Sequence, residues 1–420
     1  MKSRTLTWIT AVTLFAALAL PAQLAAQKQI RYTVIDIGTL PGGTFSRAFG
    51  INNRGYVVGF SFLTGDTAQH AFLWRNGVLT DLSTLAPTDT QAFSAAYSIN
   101  DNDEAVGWSE TSTPDPQNTC GDSLVCLPVL WRNIEITALP TLGGLDGQAS
   151  AINNRGQVVG IAQTDEIDPM CNNPVLKPTV WEGGQARALP TAPFLDGIVG
   201  GAPGPAGNNN KGQVVGIITT CDGSASQTVL WEKHKVIDMG TIGGLALVPV
   251  AINDKGQVTG TYTTTAGMNR AFLWQDGVAT DLGTLPGDNF AEGNSINDRG
   301  QIVGQSCSPA GCTVFLWQDG VMTDLNAVIR AGSSLFPVDP GGINSLGEIV
   351  GIAFDRNTGA CCHGFIAIPD NSAVTEGLAS TEQGEVRQPQ TIVIPENIRK
   401  MLERRLGPKY HIPGLPAPKD

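Results

Sequence analysis

The chain has 420 residues, of which 50 are Gly and only 15% are charged, and its formal net charge is −12. This composition fits a turn-rich β protein and not a helical or disordered one. The acidic balance repels phosphate backbones, so a nucleic-acid partner is not expected.

Residues 1–26 read as a secretory signal. Lys2 and Arg4 form the positive start, Ala11 to Leu20 the apolar run, and Ala25-Ala26 the small residues before cleavage. The run is short for a membrane span, and no later segment is apolar enough to cross a bilayer. The expected location is therefore extracellular or periplasmic.

From Arg31 onward three phrases recur in fixed order. The first is Ile-Asn-x-x-Gly-x-Val-x-Gly, with its Asn at 52, 100, 153, 209, 253, 297 and 344, 44 to 56 residues apart. It reads as a hairpin whose Asn caps its own turn and whose Gly takes a positive φ. The second phrase carries a Trp: Phe72-Leu73-Trp74, Val129-Leu130-Trp131, Val180-Trp181, Leu230-Trp231, Phe272-Leu273-Trp274 and Phe315-Leu316-Trp317. Its last version, Phe365-Ile366-Ala367, lacks the Trp. The third is Asp-Leu-Gly-Thr-Leu, as at Asp281 to Leu285, with Asp36-Ile37-Gly38-Thr39-Leu40 as its first copy. Turns such as Asn76-Gly77, Asp276-Gly277 and Asp319-Gly320 separate the second phrase from the third.

Each repeat thus predicts four strands, a to d, and a repeat of this length with a Trp signature predicts one propeller blade. The last repeat lacks strand d, while a surplus copy stands at the N-terminus. A closed seven-bladed ring explains this offset, because the first strand completes the last blade and leaves no open edge. The expected body is all-β and covers 27–369. A linker is expected over 370–395, and a short helix with a Pro-rich tail over 396–420. Ile398, Met401, Leu402 and Leu406 stand at helical spacing there, beside a basic face.

The phrases resemble those of the HAF extracellular-repeat family, named for the tripeptide that stands here as His70-Ala71-Phe72. The resemblance covers residues 31 to about 368 and implies a secreted repeat protein, with no catalytic residues to transfer. Only the first repeat keeps the full tripeptide, and the fourth has Asn208-Asn209 in place of Ile-Asn.

Eight cysteines suit an oxidising compartment. Cys120 with Cys126, and Cys307 with Cys312, each close a small ring and are expected as disulfides. Cys171 and Cys221 occupy corresponding loops of successive repeats, where a blade-to-blade bridge fits. Cys361 and Cys362 are adjacent and are left unassigned. The spacings lack the paired pattern of a structural zinc site. The Asn turns carry Arg54, Arg155, Lys211, Lys255 and Arg299 where a calcium ion would sit. No metal or cofactor is expected.

Strand a should line the central channel. Small residues recur two and four positions before the motif Asn, as crowded innermost strands require. At three and five positions before it the symmetry breaks, with Arg47, Tyr97, Gln148, Glu292, Asn294 and Asp339 as candidate binding residues. These lie toward the mouth that collects the b–c and d–a loops, which are long and irregular: 110–127, 164–177, 190–203 and 326–337. His70 and His363 share one strand-c position that reads as exposed and unconstrained. The expected function is a secreted, non-enzymatic binding or scaffold protein. Its partner would be a polysaccharide or another extracellular protein, bound at this mouth. The alternative is a carbohydrate-active enzyme, a glycosidase or lyase, using Glu292 and Asp339 as a carboxylate pair.

Overall fold

The computed structural model describes residues 30–116, 124–191, 207–221, 224–309, 311–359 and 361–370. The signal-like segment, the linker beyond Asp370, the expected C-terminal helix, Cys120 and most of the 190–203 loop lie outside the described residues.

Seven antiparallel sheets follow one another along the chain. Blade 1 comprises Ser46–Ile51, Val57–Phe62, Gln69–Arg75 and Val78–Asp81, in the order a, b, c, d. Blades 2, 3, 5 and 6 repeat that order, with strand a at Ser94–Ile99, Gly143–Ile152, Leu245–Ile252 and Phe290–Ile296. In blade 4 the described strands are Val214–Thr219, Ser226–Glu232 and Lys235–Asp238, with Asn208 bridging to Val214 on the inner side. Blade 7 takes Leu335–Ile343, Ile349–Asp355 and Cys361–Pro369 from the C-terminal end and Tyr32–Gly38 from the N-terminal end. The chain is therefore a seven-bladed β-propeller closed by its N-terminal strand.

That closing strand is held on both sides. It runs antiparallel to Cys361–Pro369 from Tyr32 opposite Pro369 to Gly38 opposite Gly364. On its other side Tyr32 donates to the Val328 carbonyl and accepts from Arg330, both at 2.9 Å. The Tyr32 ring is buried, which pushes its phenol up to about 12 despite the opposing charge of Arg299.

The core is distributed, because each sheet is apolar on both faces and must bury each against a neighbour. Among the described residues, seven apolar clusters fill the seven blade interfaces. Between blades 1 and 2, for example, Val58, Ala71 and Leu82 meet Ile99, Ala105, Val129 and Trp131. The Trp phrase adds a polar tether to four of these contacts. Trp131, Trp181, Trp231 and Trp274 donate their indole N–H to carbonyls of the preceding blade, at Leu82, Pro140, Pro190 and Met239, over 2.7–3.0 Å. A buried indole needs such an acceptor.

The longest b–c connections in blades 2 and 3 differ from the expected irregular loops. Strands Ala105–Pro114 and Leu124–Arg132 extend as a hairpin arm, as do Val158–Ile167 and Pro174–Glu182. The β-branched run through Thr111, Thr113, Thr164 and Ile167 lets the ladder continue past the sheet. Among the described disulfides, Cys171–Cys221 ties the arm of blade 3 to blade 4 and Cys307–Cys312 staples the b–c hairpin of blade 6. Cys126 and Cys362 are also disulfide-bonded.

Candidate functional site

The two ends of the channel are built differently. At the end formed by the a–b turns, the seven motif Asn side chains form a closed belt. Each Nδ2 donates to the main-chain carbonyl of the next blade's Asn: 52 to 100, 100 to 153, 153 to 209, 209 to 253, 253 to 297, 297 to 344, and 344 back to 52. The distances are 2.8–3.1 Å. Each Oδ1 accepts from the N–H groups two and four residues on, as Asn253 does from Lys255 at 3.0 Å and Gln257 at 2.9 Å. The second Nδ2 hydrogen is taken by the side chain four residues on in six blades, for example Gln257 Oε1 at 2.7 Å. In blade 1, where Tyr56 cannot accept in that way, Asp103 Oδ1 of blade 2 takes it at 3.1 Å. All seven Asn are buried at 3–4% exposure, so every polar atom needs such a partner. The motif Asn is thus committed to architecture and leaves no atom for a ligand.

The glycines of the motif have separate causes. The turn Gly sits at φ between +74° and +86° in six blades, and Asp103 takes φ +63° in the seventh. The Gly that closes Val-x-Gly lies opposite a bulge. In blades 1, 2, 3, 5 and 6 the register of strand a slips past the residue three before the Asn, namely Phe49, Tyr97, Ser150, Val250 and Asn294. Blade 7 has the same irregularity across Gly341–Gly342. The bulge drives the carbonyl two residues earlier against that Gly. A Cβ on Gly59 would stand 1.8 Å from the Arg47 oxygen, and one on Gly160 or Gly260 would stand 2.0 Å from that of Gln148 or Val248.

This corrects the simple alternation expected for strand a. With one extra residue, the position four before the Asn joins the position one before it on the same face. Ala149 and Ile152 accordingly share one inter-blade cluster, and Ala96 and Ile99 another. The position two before the Asn is small for the expected reason. A Cβ on Gly50 would meet the Tyr97 oxygen and Ser98 Cα of the next blade at 3.0–3.1 Å.

At the opposite mouth the ring symmetry fails in one sector. An eighth apolar cluster, beyond the seven between blades, gathers Phe45, Phe60, Phe62, Ala95, Ile352 and Cys362, with half-buried Phe49, Tyr97, Trp108, Val338 and Phe354 against it. The Phe49 and Tyr97 rings meet edge to face at 5.2 Å, and Tyr97 Oη accepts from Trp108 Nε1 at 2.8 Å. Arg47 lies 4.8 Å over the Phe49 ring and forms an ion pair with Asp339 of blade 7 at 2.6 Å. Their side chains are 12% and 20% exposed.

Glu292 accepts from Asn269 at 3.0 Å. Burial pushes its carboxyl up, the Asn269 hydrogen bond opposes this, and the Asp339 charge adds to it. Asp339 is likewise pushed up by burial, against the pull of Arg47. The structure therefore brings Arg47, Tyr97, Glu292 and Asp339 into one sector of blades 6, 7, 1 and 2. Asn294 sits on the bulge of blade 6 with Oδ1 buried and without a partner among the described residues. The Gln148 side chain, on blade 3, makes no hydrogen bond among the described residues. Phe45, Phe60, Phe62 and Trp108 were not singled out by the sequence; the signal was the pair Phe60 and Phe62 in strand b of blade 1, where blades 3, 4 and 5 place Ile161 and Gln163, Ile217 and Thr219, and Thr261 and Thr263.

The shared histidine position is also corrected. His70 Nδ1 bonds Asp81 at 2.9 Å and His363 Nδ1 bonds Asp36 at 2.9 Å, both to the strand-d Asp that caps the following turn. The position is constrained by strand d and is not free.

No family model and no curated protein match the chain. Among solved structures it is similar to the β-propeller domain of the Trilobed protease from Pyrococcus furiosus, at 8% identity over 81% of this chain and 96% of that one, with TM-score 0.45. It is similar to a Mycobacterium tuberculosis puromycin-hydrolyzing peptidase at 11% identity and TM-score 0.48, over 78% of this chain and 56% of that one. A Xanthomonas campestris gluconolactonase matches at 12% identity and TM-score 0.36, over 82% of this chain and 93% of that one. These likenesses transfer no activity.

Proposed function

We propose that this propeller is a secreted, non-enzymatic binding or scaffold protein of the HAF extracellular-repeat type, with its ligand site at the channel mouth of the long-loop face. The observation that carries the reading is the eighth cluster. Seven clusters suffice to close seven blade interfaces, so an additional one, aromatic and next to the Arg47–Asp339 pair, is not demanded by the ring. Half-buried aromatic faces beside charged hydrogen-bonding groups suit a polysaccharide or a protein surface. Secretion is supported by the signal-like residues 1–26 and by the disulfides.

The enzymatic alternative draws on the coupling of Glu292 to Asp339. Each carboxylate has a partner of its own, Arg47 for Asp339 and Asn269 for Glu292.

Binding of the full chain to immobilised polysaccharides and extracellular proteins tests the reading. A bound partner should be released by Phe49→Ala or Tyr97→Ala with at least a tenfold loss of affinity, and retained by Asp101→Asn at the opposite mouth. Binding insensitive to both aromatic changes overturns the site. Turnover of chromogenic glycosides that disappears in Glu292→Gln overturns the non-enzymatic assignment.

A further inference from the structure

The geometry points to a redox-gated site for a soft divalent cation such as Zn²⁺, formed by Asp168, Cys171 and Cys221 at the junction of blades 3 and 4. Among the described residues this is the one group of three His, Cys, Asp or Glu side chains whose ligand atoms converge, all within 4.8 Å of one another. It lies outside the aromatic mouth and plays no part in the binding role proposed above.

The carboxylate is positioned before any ion arrives. Asp168 is 2% exposed, and its Oδ1 accepts from the N–H groups of Met170 at 2.7 Å and Cys171 at 2.9 Å. The turn carrying it is closed by Asp168 N–H to the Asn173 carbonyl and Asn172 N–H to the Asp168 carbonyl, both 2.8 Å. Cys171 follows on the same turn, and Cys221 comes from the end of strand b of the next blade with its Sγ 3.4 Å from Asp168 Oδ1. In the disulfide that sulfur carries no hydrogen, so a buried carboxylate faces a sulfur unable to donate to it. The contact becomes productive once the sulfur is a thiol that donates to the carboxylate, or once thiolate and carboxylate bind the same cation.

In the oxidised protein both sulfurs are committed to the Cys171–Cys221 bond, and no metal can use them. A phosphine reductant supplies two electrons: it attacks one sulfur, the S–S bond breaks, and water delivers its oxygen to phosphorus, giving the phosphine oxide, and its two protons to the sulfurs, giving two thiols. A divalent ion then displaces both thiol protons. Two thiolates and a carboxylate oxygen fill three positions of a tetrahedral shell, and water completes it. Thiolate ligands select zinc over calcium or magnesium. The ion replaces the covalent link between blades 3 and 4 with a coordinate one, so the blades stay joined in either redox state.

The test uses the full chain, reduced with a phosphine and titrated with Zn²⁺ alone against a chromophoric chelator. Reduced wild type should bind one equivalent more than the reduced Cys171→Ser/Cys221→Ser variant, and that equivalent should be absent from the oxidised protein. Asp168→Asn keeps an oxygen to accept the Met170 and Cys171 N–H groups, so the turn is retained and the charged ligand is lost. Its affinity should fall at least tenfold, and Zn²⁺ should raise the melting temperature of reduced wild type more than that of this variant. Equal stoichiometry in reduced wild type and the double Ser variant overturns the site. Should the double variant not fold, unchanged affinity in Asp168→Asn overturns it equally.

Discussion

Asn344 Nδ2 donates to the main-chain carbonyl of Asn52 at 2.9 Å, across 292 residues of sequence. With that bond the polar belt becomes a ring with no ends, and the first and last complete blades meet as any other neighbouring pair does. The belt and the exchanged N-terminal strand are two independent closures, one at the channel and one at the rim.

Asn253→Asp should destabilise the protein by about 2–4 kcal/mol. The carboxylate still accepts from the Lys255 and Gln257 N–H groups, but both donated bonds, to Gln257 Oε1 and the Asn297 carbonyl, are replaced by facing acceptors. Chemical denaturation of wild type and variant near neutral pH measures the difference.

Gly260→Ala and Gly277→Ala separate steric from conformational need. At Gly260 the new Cβ would lie 2.0 Å from the Val248 carbonyl oxygen, so the bulge must open at a cost of roughly 3 kcal/mol or more. Gly277 has nothing within 4 Å and only φ +85° to object, so about 1–2 kcal/mol is expected. Equal losses in denaturant midpoint would contradict the role given to the bulge.

At the mouth, Arg47→Met should cost about 3 kcal/mol near neutral pH, because it leaves the mostly buried Asp339 carboxylate without its cation. Glu292→Gln should act in the opposite sense. The folded-state pKa of Glu292 is raised, so its contribution is most favourable below the unfolded pKa and falls as pH rises through the folded one. Relative to wild type, the variant should gain stability as pH climbs from about 4 to 8, a trend read from melting temperatures at each pH.

The strand-c histidine of blade 7 gives a second pH signature. The Asp36 hydrogen bond raises His363, and burial opposes it. Burial alone would raise Asp36, but the bonds from His363 and the Gly38 N–H bring it below its ordinary range. The His363 contribution is fully present below its unfolded pKa and fades as pH rises through the folded value. The Asp36 contribution is present above its unfolded pKa and fades as pH falls through its folded value. The pair therefore stabilises closure most between about pH 4 and 6.5. His363→Gln should lose more there than at pH 8, by a few tenths of a kcal/mol to about 1 kcal/mol, since both side chains are about 40% exposed.

The blade count, the strand order and the closing strand were legible because hairpin signals and the offset of phrases are local and countable. The Asn belt was not, because each donated bond ends one blade away on a main-chain atom that no residue type advertises. The bulge had a signal that alternation concealed: a Gly recurring seven residues after the Asn, inside a strand of β-branched neighbours, marks close backbone approach. The pairing of Arg47 with Asp339 follows from their shared register once closure makes blades 7 and 1 adjacent. Phe45, Phe60 and Phe62 belong to no repeated phrase, so the mouth sector emerged only from packing. His70 and His363 were misread because their partners, Asp81 and Asp36, are capping residues already explained by the turn.

Closure by the N-terminal strand is tested most directly by thermal unfolding of a chain lacking residues 30–38, alone and with a synthetic peptide of that sequence. Removal strips the outer edge of blade 7 from Pro369 to Gly364 and opens the seat of the buried Tyr32 ring. The truncated chain should melt at least 10 °C lower or associate through the open edge, and the peptide should restore part of the loss. A truncated chain that stays monomeric and melts with the full one, indifferent to the peptide, would contradict the closed ring.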